Sequence, residues 1–135
     1  MRRWKQAISP QILDIDTIEH NTSKHKYRLI LKNGKSIIVQ TFINDLYTVP
    51  KTKEIMCFLL TVYYKLPQIA QNKLKSMDKD LQNLMSNYRG ASISTNANPP
   101  WLKPPVVTIG YQNVHLEKVI ESLEKIEDVL EKYLI

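Results

Sequence analysis

The stretch Tyr27–Ile43, YRLILKNGKSIIVQTFI, decides the fold. Two runs rich in β-branched and aromatic residues, Tyr27–Lys32 and Lys35–Ile43, flank Asn33-Gly34. That dipeptide favours a two-residue type I′ turn, because both central residues of such a turn need positive φ. The pattern predicts an antiparallel hairpin. With a two-residue turn, Lys32 faces Lys35, Ile30 faces Ile37 and Arg28 faces Val39, so Lys26, Arg28, Lys32 and Lys35 share one face. Tyr27, Leu29, Leu31, Ile38 and Phe42 line the other, which is the better core face. Ile30, Ile37, Val39 and Ile43 lie among the cations, so a helix is expected to cover the middle of the basic face.

Upstream, QILDIDTIE (Gln11–Glu19) is β-branched and partly alternating and completes a three-stranded meander. Downstream, Pro50 stands where a helix can begin, and Ile55, Leu59, Val62 and Leu66 recur at helical spacing with Met56, Leu60 and Tyr63 beside them. Pro67 interrupts that helix. Ala70, Leu74, Met77, Leu81, Leu84 and Tyr88 then trace the stripe of a second one, which stops near Gly90. Residues 89–105, ending in PPWLKPP, read as a flexible proline-containing loop. Val106–Tyr111 is short and β-branched, a late fourth strand. From about Asn113 the chain reads as a long amphipathic helix with Leu116, Val119, Leu123, Ile126, Leu130 and Tyr133 at steps of three and four. Such a stripe packs on the sheet or pairs with its twin in a homodimer, and Ile120, Val129 and Leu134 widen it enough for both. The expected class is α+β: an antiparallel sheet of about four strands, two central helices inserted and a C-terminal helix.

Size and composition agree with one domain over residues 1–135. The chain has 135 residues and a mass of 15.8 kDa, and 43% hydrophobic against 24% charged residues is far from the composition of disordered chains. A single cysteine, Cys57, excludes an intramolecular disulfide. Behind the opening MRRWKQAISPQ there is no apolar stretch of signal-peptide length, and the run Ile55–Leu66 falls short of the ~20 residues a membrane span requires. A cytoplasmic chain without a membrane partner is expected.

The net charge of +6 hides a division along the chain. Residues 1–110 carry sixteen basic and seven acidic side chains, a net +9, and residues 111–135 carry three basic and six acidic, a net −3. Positive charge is densest in the N-terminal arm (residues 1–10), at Arg2, Arg3 and Lys5, and between His20 and Asn44. A basic body attracts polyanions, because neutralised phosphates release condensed counterions.

The standard catalytic constellations do not assemble from the sequence. Three glycines, Gly34, Gly90 and Gly110, are too few for a phosphate-cradling loop. Cys57 lies in the most apolar segment, where thiols are inert. His20 and His25 with Asp14, Asp16 and Glu19 read as solvated side chains rather than a metal site, and Asp14 and Asp16 lack the second acidic pair of a metal-dependent nuclease. A non-enzymatic chain with neither cofactor nor metal is expected, a nuclease being the minor alternative.

Binding remains. Trp4 sits among Arg2, Arg3 and Lys5, and Trp101 stands beside Lys103, both in segments outside the expected core. Indoles among cations suit stacking on bases while the cations hold phosphates. In the two-residue-turn register the basic hairpin face has no aromatic of its own, which argues against an RNA-recognition motif. The element order resembles the ββββα order of small single-stranded DNA-binding cofactors that dimerise through the last helix, here with two helices inserted. The expected function is therefore binding of single-stranded nucleic acid, or nucleic acid without sequence preference, through Arg2, Arg3, Trp4, Lys5, Lys26, Arg28, Lys32, Lys35, Trp101 and Lys103. The alternative is a protein-interaction module, an adaptor or an inhibitor of another complex, acting through the C-terminal helix or the Trp101 loop.

Overall fold

Asn33-Gly34 does form a turn, but not the two-residue one. In the structure, a computed structural model that describes residues 23–96 and 104–134, with the backbone alone at 23–28, 30, 45 and 96, strand β1 (Ser23–Ile30) is followed by β2 (Ser36–Thr48). Only Gly34 is left-handed, at φ 85°, whereas a type I′ turn needs positive φ at Asn33 as well. The Gly34 amide donates to the Leu31 carbonyl at 3.0 Å, the Leu31 amide to the Lys35 carbonyl at 2.8 Å, and the Lys35 amide to Asn33 Oδ1 at 3.0 Å. This is the bonding of a turn followed by a glycine bulge, which takes one more residue than expected.

The pairing therefore runs Ile30 to Ser36, Leu29 to Ile37, Arg28 to Ile38 and Tyr27 to Val39, a shift of one residue. Strand side chains alternate, so the shift exchanges the faces of β2. Ile37, Val39 and Ile43 join Leu29 and Leu31 in the core, while Ile38 and Phe42, expected there, stand half-buried on the opposite face. On β2 the observed set buries three apolar side chains, Ile37, Val39 and Ile43, where the expected set buries two, Ile38 and Phe42; one more buried apolar side chain is worth about 1.5–3 kcal/mol, more than the roughly 1 kcal/mol of a single turn hydrogen bond.

The largest correction concerns Ile55–Lys65, which is a strand, β3, and not a helix. A short apolar run is compatible with either period. Here β2 pairs on one side and the strand Val106–His115 on the other, so the run is the central strand, and Leu60, Val62 and Tyr64 are wholly buried on its core side. Pro50 opens the β2–β3 turn instead of a helix. That turn is closed by the Lys53 amide on the Val49 carbonyl at 2.8 Å and the Val49 amide on the Glu54 carbonyl at 2.9 Å, with Lys53 left-handed at φ 58°.

Helix α1 (Gln71–Met85) follows Pro67 and buries Leu74, Met77, Leu81 and Met85 along the expected stripe. Strand β4 (Ala91–Asn96) then occupies the start of the segment read as a loop. Its residues are small and polar but alternate, Ile93 inward and Ser92 and Ser94 outward, which suffices for an edge strand held by one neighbour. The Gln82 side chain donates to the Ile93 carbonyl at 2.8 Å and ties it to α1. Strand β5 (Val106–His115) begins where the sequence places it but runs past Tyr111 to His115, so Asn113, expected in the last helix, lies in the strand and helix α2 (Leu116–Leu134) starts at Leu116. The described sheet has five antiparallel strands in the order β1-β2-β3-β5-β4. The expected strand at 11–19 and the arm at 1–10 lie outside the described residues.

Both helices cover one face. Leu116, Val119, Leu123, Ile126 and Leu130, considered above as a dimer seam, belong to this chain's own core, and Tyr133 packs at its margin. The apolar stripe packs on the sheet, with Ile120, Val129 and Leu134 partly buried beside it. Two buried polar contacts fix the helix to it: Tyr64 donates to Glu127 at 3.1 Å, and the Tyr111 and Ser122 hydroxyls bond at 2.6 Å. Tyr133 also donates to Asp80, joining α2 to α1.

Two substitutions test this account by urea denaturation. Gly90 is left-handed at φ 84°, and a Cβ there would come within 2.6 Å of the Gln112 carbonyl oxygen, whereas a Cβ at Gly34 meets nothing within 4 Å. Gly34→Ala is expected to cost about 1 kcal/mol and Gly90→Ala clearly more. Leu123→Ala, in the centre of the core, is expected to cost about 2–5 kcal/mol.

Candidate nucleic-acid interface

Both helices lie on one side; no helix among the described residues covers the other face of the sheet, the open face, and the register pairs order it into rows. Lys24, Phe42, Thr61, Gly110 and Ser92 are successive partners across β1, β2, β3, β5 and β4. The next row is Lys26, Gln40, Tyr63, Thr108 and Ser94, and the third is Arg28, Ile38, Lys65, Val106 and Asn96. Three basic positions of β1 thus stand at one end of rows whose middle holds two aromatic rings.

Phe42 and Tyr63 are diagonal neighbours on β2 and β3, with ring centroids 5.8 Å apart and planes at 89°. Lys65 is exposed beside them. The apolar surface continues along β3, where Leu59 (38% exposed) and Phe58 (46%) are adjacent in sequence and both open to solvent. Regular alternation would turn one of them inward. On the neighbouring strand Asn113 has φ 53°, and buried positions change parity there, from Tyr111 to Val114 on β5 and from Leu60 to Cys57 on β3. The kink brings Phe58 and Leu59 out together, and Tyr47 (41% exposed) lies near them, its hydroxyl donating to Asn113 Oδ1 at 3.3 Å.

The cations expected on one hairpin face separate. Lys26 and Arg28 occupy open-face rows, but Lys32 and Lys35 belong to the turn, which leans toward the helices. Lys32 Nζ is 3.9 Å from Glu131 of α2, Asn33 Nδ2 donates to the Leu134 carbonyl at 3.4 Å, and Lys35 borders a hollow lined by Pro67, Lys73 and Leu134. The Lys32 pair is too exposed to contribute more than a fraction of about 1 kcal/mol. Arg2, Arg3, Trp4, Lys5, Trp101 and Lys103 lie outside the described residues, as do His20, Asp14, Asp16 and Glu19.

Phe42, Tyr63 and Lys65 were not among the residues the sequence marked as a site. Phe42 was assigned to the core by the shorter turn, and Tyr63 and Lys65 fell in the supposed helix. Reading Ile55–Lys65 with period two places Leu59, Thr61, Tyr63 and Lys65 on one side, which is the signal that finds them.

Other chemistry is sparse among the described residues. Burial pushes the Cys57 thiol up to about 12, so it stays protonated and unreactive. His115 Nδ1 lies 2.9 Å from Glu54, an exposed pair that clips the β2–β3 turn to the end of β5. Among the described residues no group of three or more His, Cys, Asp or Glu side chains could hold a metal ion, and no helix is long and apolar enough to cross a membrane. Ellman's reagent at pH 8 is expected to leave Cys57 unmodified in the native protein and to label it fully in denaturant; rapid labelling of the native chain would contradict its placement in the core. No protein-family model matches the chain, and no curated protein or solved structure matches it either.

Proposed function

We propose that this chain binds single-stranded nucleic acid on the open face of its sheet and acts by binding, without chemical turnover. One observation carries the reading: the register sets Phe42 on β2 beside the basic positions of β1, and Tyr63 diagonal to it on β3, two residues from Lys65. Bases stack on rings irrespective of sequence, and cations beside the rings hold phosphates. A duplex keeps its base faces stacked inside, so a platform of side-chain rings favours unpaired strands. In this reading Lys26, Arg28 and Lys65 contact phosphates and Phe42 and Tyr63 carry bases, with Phe58 and Tyr47 extending the track. Arg2, Arg3, Trp4 and Lys5 of the arm, and Trp101 with Lys103, are proposed to add contacts to the same strand. Lys32 and Lys35 take no part.

Fluorescence anisotropy with labelled oligonucleotides over a salt series tests the reading. Affinity is expected to fall steeply with salt, and single strands to bind more tightly than duplex of the same length. Phe42→Ala and Tyr63→Ala are expected to weaken binding by about 1–3 kcal/mol each at unchanged salt dependence. Lys26→Ala and Arg28→Ala are each expected to lower the salt slope by about 1, and Lys32→Ala to leave it unchanged. The absence of binding at low salt, or variants without effect, overturns the proposal.

A protein partner is the second reading, favoured by the exposure of Tyr47, Phe58 and Leu59 on one stretch of surface. It entails association insensitive to salt and lost on Phe58→Ser, with no retention of oligonucleotide.

A further inference from the structure

We infer that the recess over Gly110 is a base-reading subsite of the open face, in which one unstacked base rests against Leu59 and is recognised through Ser92 and Gln112. The inference rests on the nucleic-acid reading above and adds to it a preference among bases. Gly110 stands in the interior of β5, between Thr61 of β3 and Ser92 of β4. Glycine weakens a strand there, and a common reason for it is close approach of another group. Conformation does not require it, since only Gly34 and Gly90 among the glycines have positive φ. Space is close: a Cβ at Gly110 would stand 3.2 Å from Ser92 Oγ, so that exposed hydroxyl would have to give way, and it would intrude on a shallow hollow of about 290 Å³.

The chemistry of the lining selects the occupant. Leu59 supplies an exposed apolar wall, and Ser92 and Gln112 supply exposed side chains that can each donate and accept. Neither Lys nor Arg lines the hollow among the described residues, so it offers a phosphate no opposite charge. A flat, neutral ring with donors and acceptors on its edge meets all three walls, and that is a nucleobase. The Gln112 amide donates to the Gly90 carbonyl at 2.9 Å, which holds the backbone that presents this side chain. From Phe42 to Gly110 is two strand spacings, about 10 Å, a span of a nucleotide or two along an extended strand. A base stacked on the Phe42–Tyr63 pair and a base in the recess can therefore belong to one strand.

Anisotropy titrations with labelled dT, dA and dC homo-oligomers of one length at low salt decide the matter. The native chain is expected to prefer one composition by roughly five- to tenfold, the discrimination of one well-made edge contact. The double variant Ser92→Ala/Gln112→Ala alters only exposed side chains and is expected to collapse that spread to within about twofold while binding persists. Gly110→Val, which fills the recess, is expected to do the same, and the double variant decides the question should Gly110→Val fail to fold. Equal affinities in the native chain, or a preference that survives the double variant, overturn the subsite while leaving general binding intact. If no oligomer binds, the subsite and the reading beneath it fail together.

Discussion

The hydrogen bond from the Lys35 amide to the Asn33 side chain, with the left-handed Gly34 behind it, adds one residue to the first turn, and the rest of the sheet inherits the consequence. Side chains on a strand alternate with a period of two, so this single residue determines which half of β2 meets the helices. Ile37, Val39, Thr41 and Ile43 turn inward, and Ile38, Gln40 and Phe42 turn outward. Each later strand extends those rows, with Val39, Tyr64 and Val107 in one buried row and Thr41, Val62 and Ile109 in the next. Apolar burial dominates local turn preference here, because each buried aliphatic side chain contributes more than one turn hydrogen bond.

The acidic end of the sequence lies on the helical side of the sheet. All six carboxylates after residue 110 are carried by α2, which covers the core face, and the basic positions of β1 fall in rows of the open face. The ion pairs on the helical side are long and exposed, as in Lys32–Glu131 and Lys132–Asp80, both at 3.9 Å, and add little stability. The buried pairs act differently. Tyr64–Glu127 and Tyr111–Ser122 satisfy polar groups inside the core and give α2 a defined seat. That seat commits the helix to one face and leaves Phe42, Tyr63, Phe58 and Leu59 on the surface.

Much of the fold was legible in the residues themselves. The α+β class, the turn at Asn33-Gly34, the stripe of α1, the strand beginning at Val106 and the terminal helix all follow from strong local patterns. What was misread shares one cause. The period of Ile55–Leu66 is ambiguous, because a central strand flanked on both sides is apolar nearly throughout, as a buried helix is. Ala91–Asn96 is too small and polar to announce a strand, and it becomes one only because β5 offers an edge. The candidate site suffered from two errors at once, the turn one residue too short and Ile55–Lys65 taken as a helix, since its rings lie on β2 and β3. Lys26 and Arg28 were identified from charge alone, but the aromatic residues beside them emerge only when two strands are aligned.

By itself, then, the sequence determined what is written in neighbouring residues: helix stripes, turn dipeptides, an inert buried thiol, and a basic body joined to an acidic last helix. Tertiary structure decided what depends on partners distant in the chain: the length of the first turn, the strand at Ile55–Lys65, the face that α2 covers, and the rows that set Phe42 and Tyr63 among cations. The reason is energetic. Local preferences differ by about 1 kcal/mol, and the burial of whole side chains against remote strands and helices exceeds that margin wherever the two disagree.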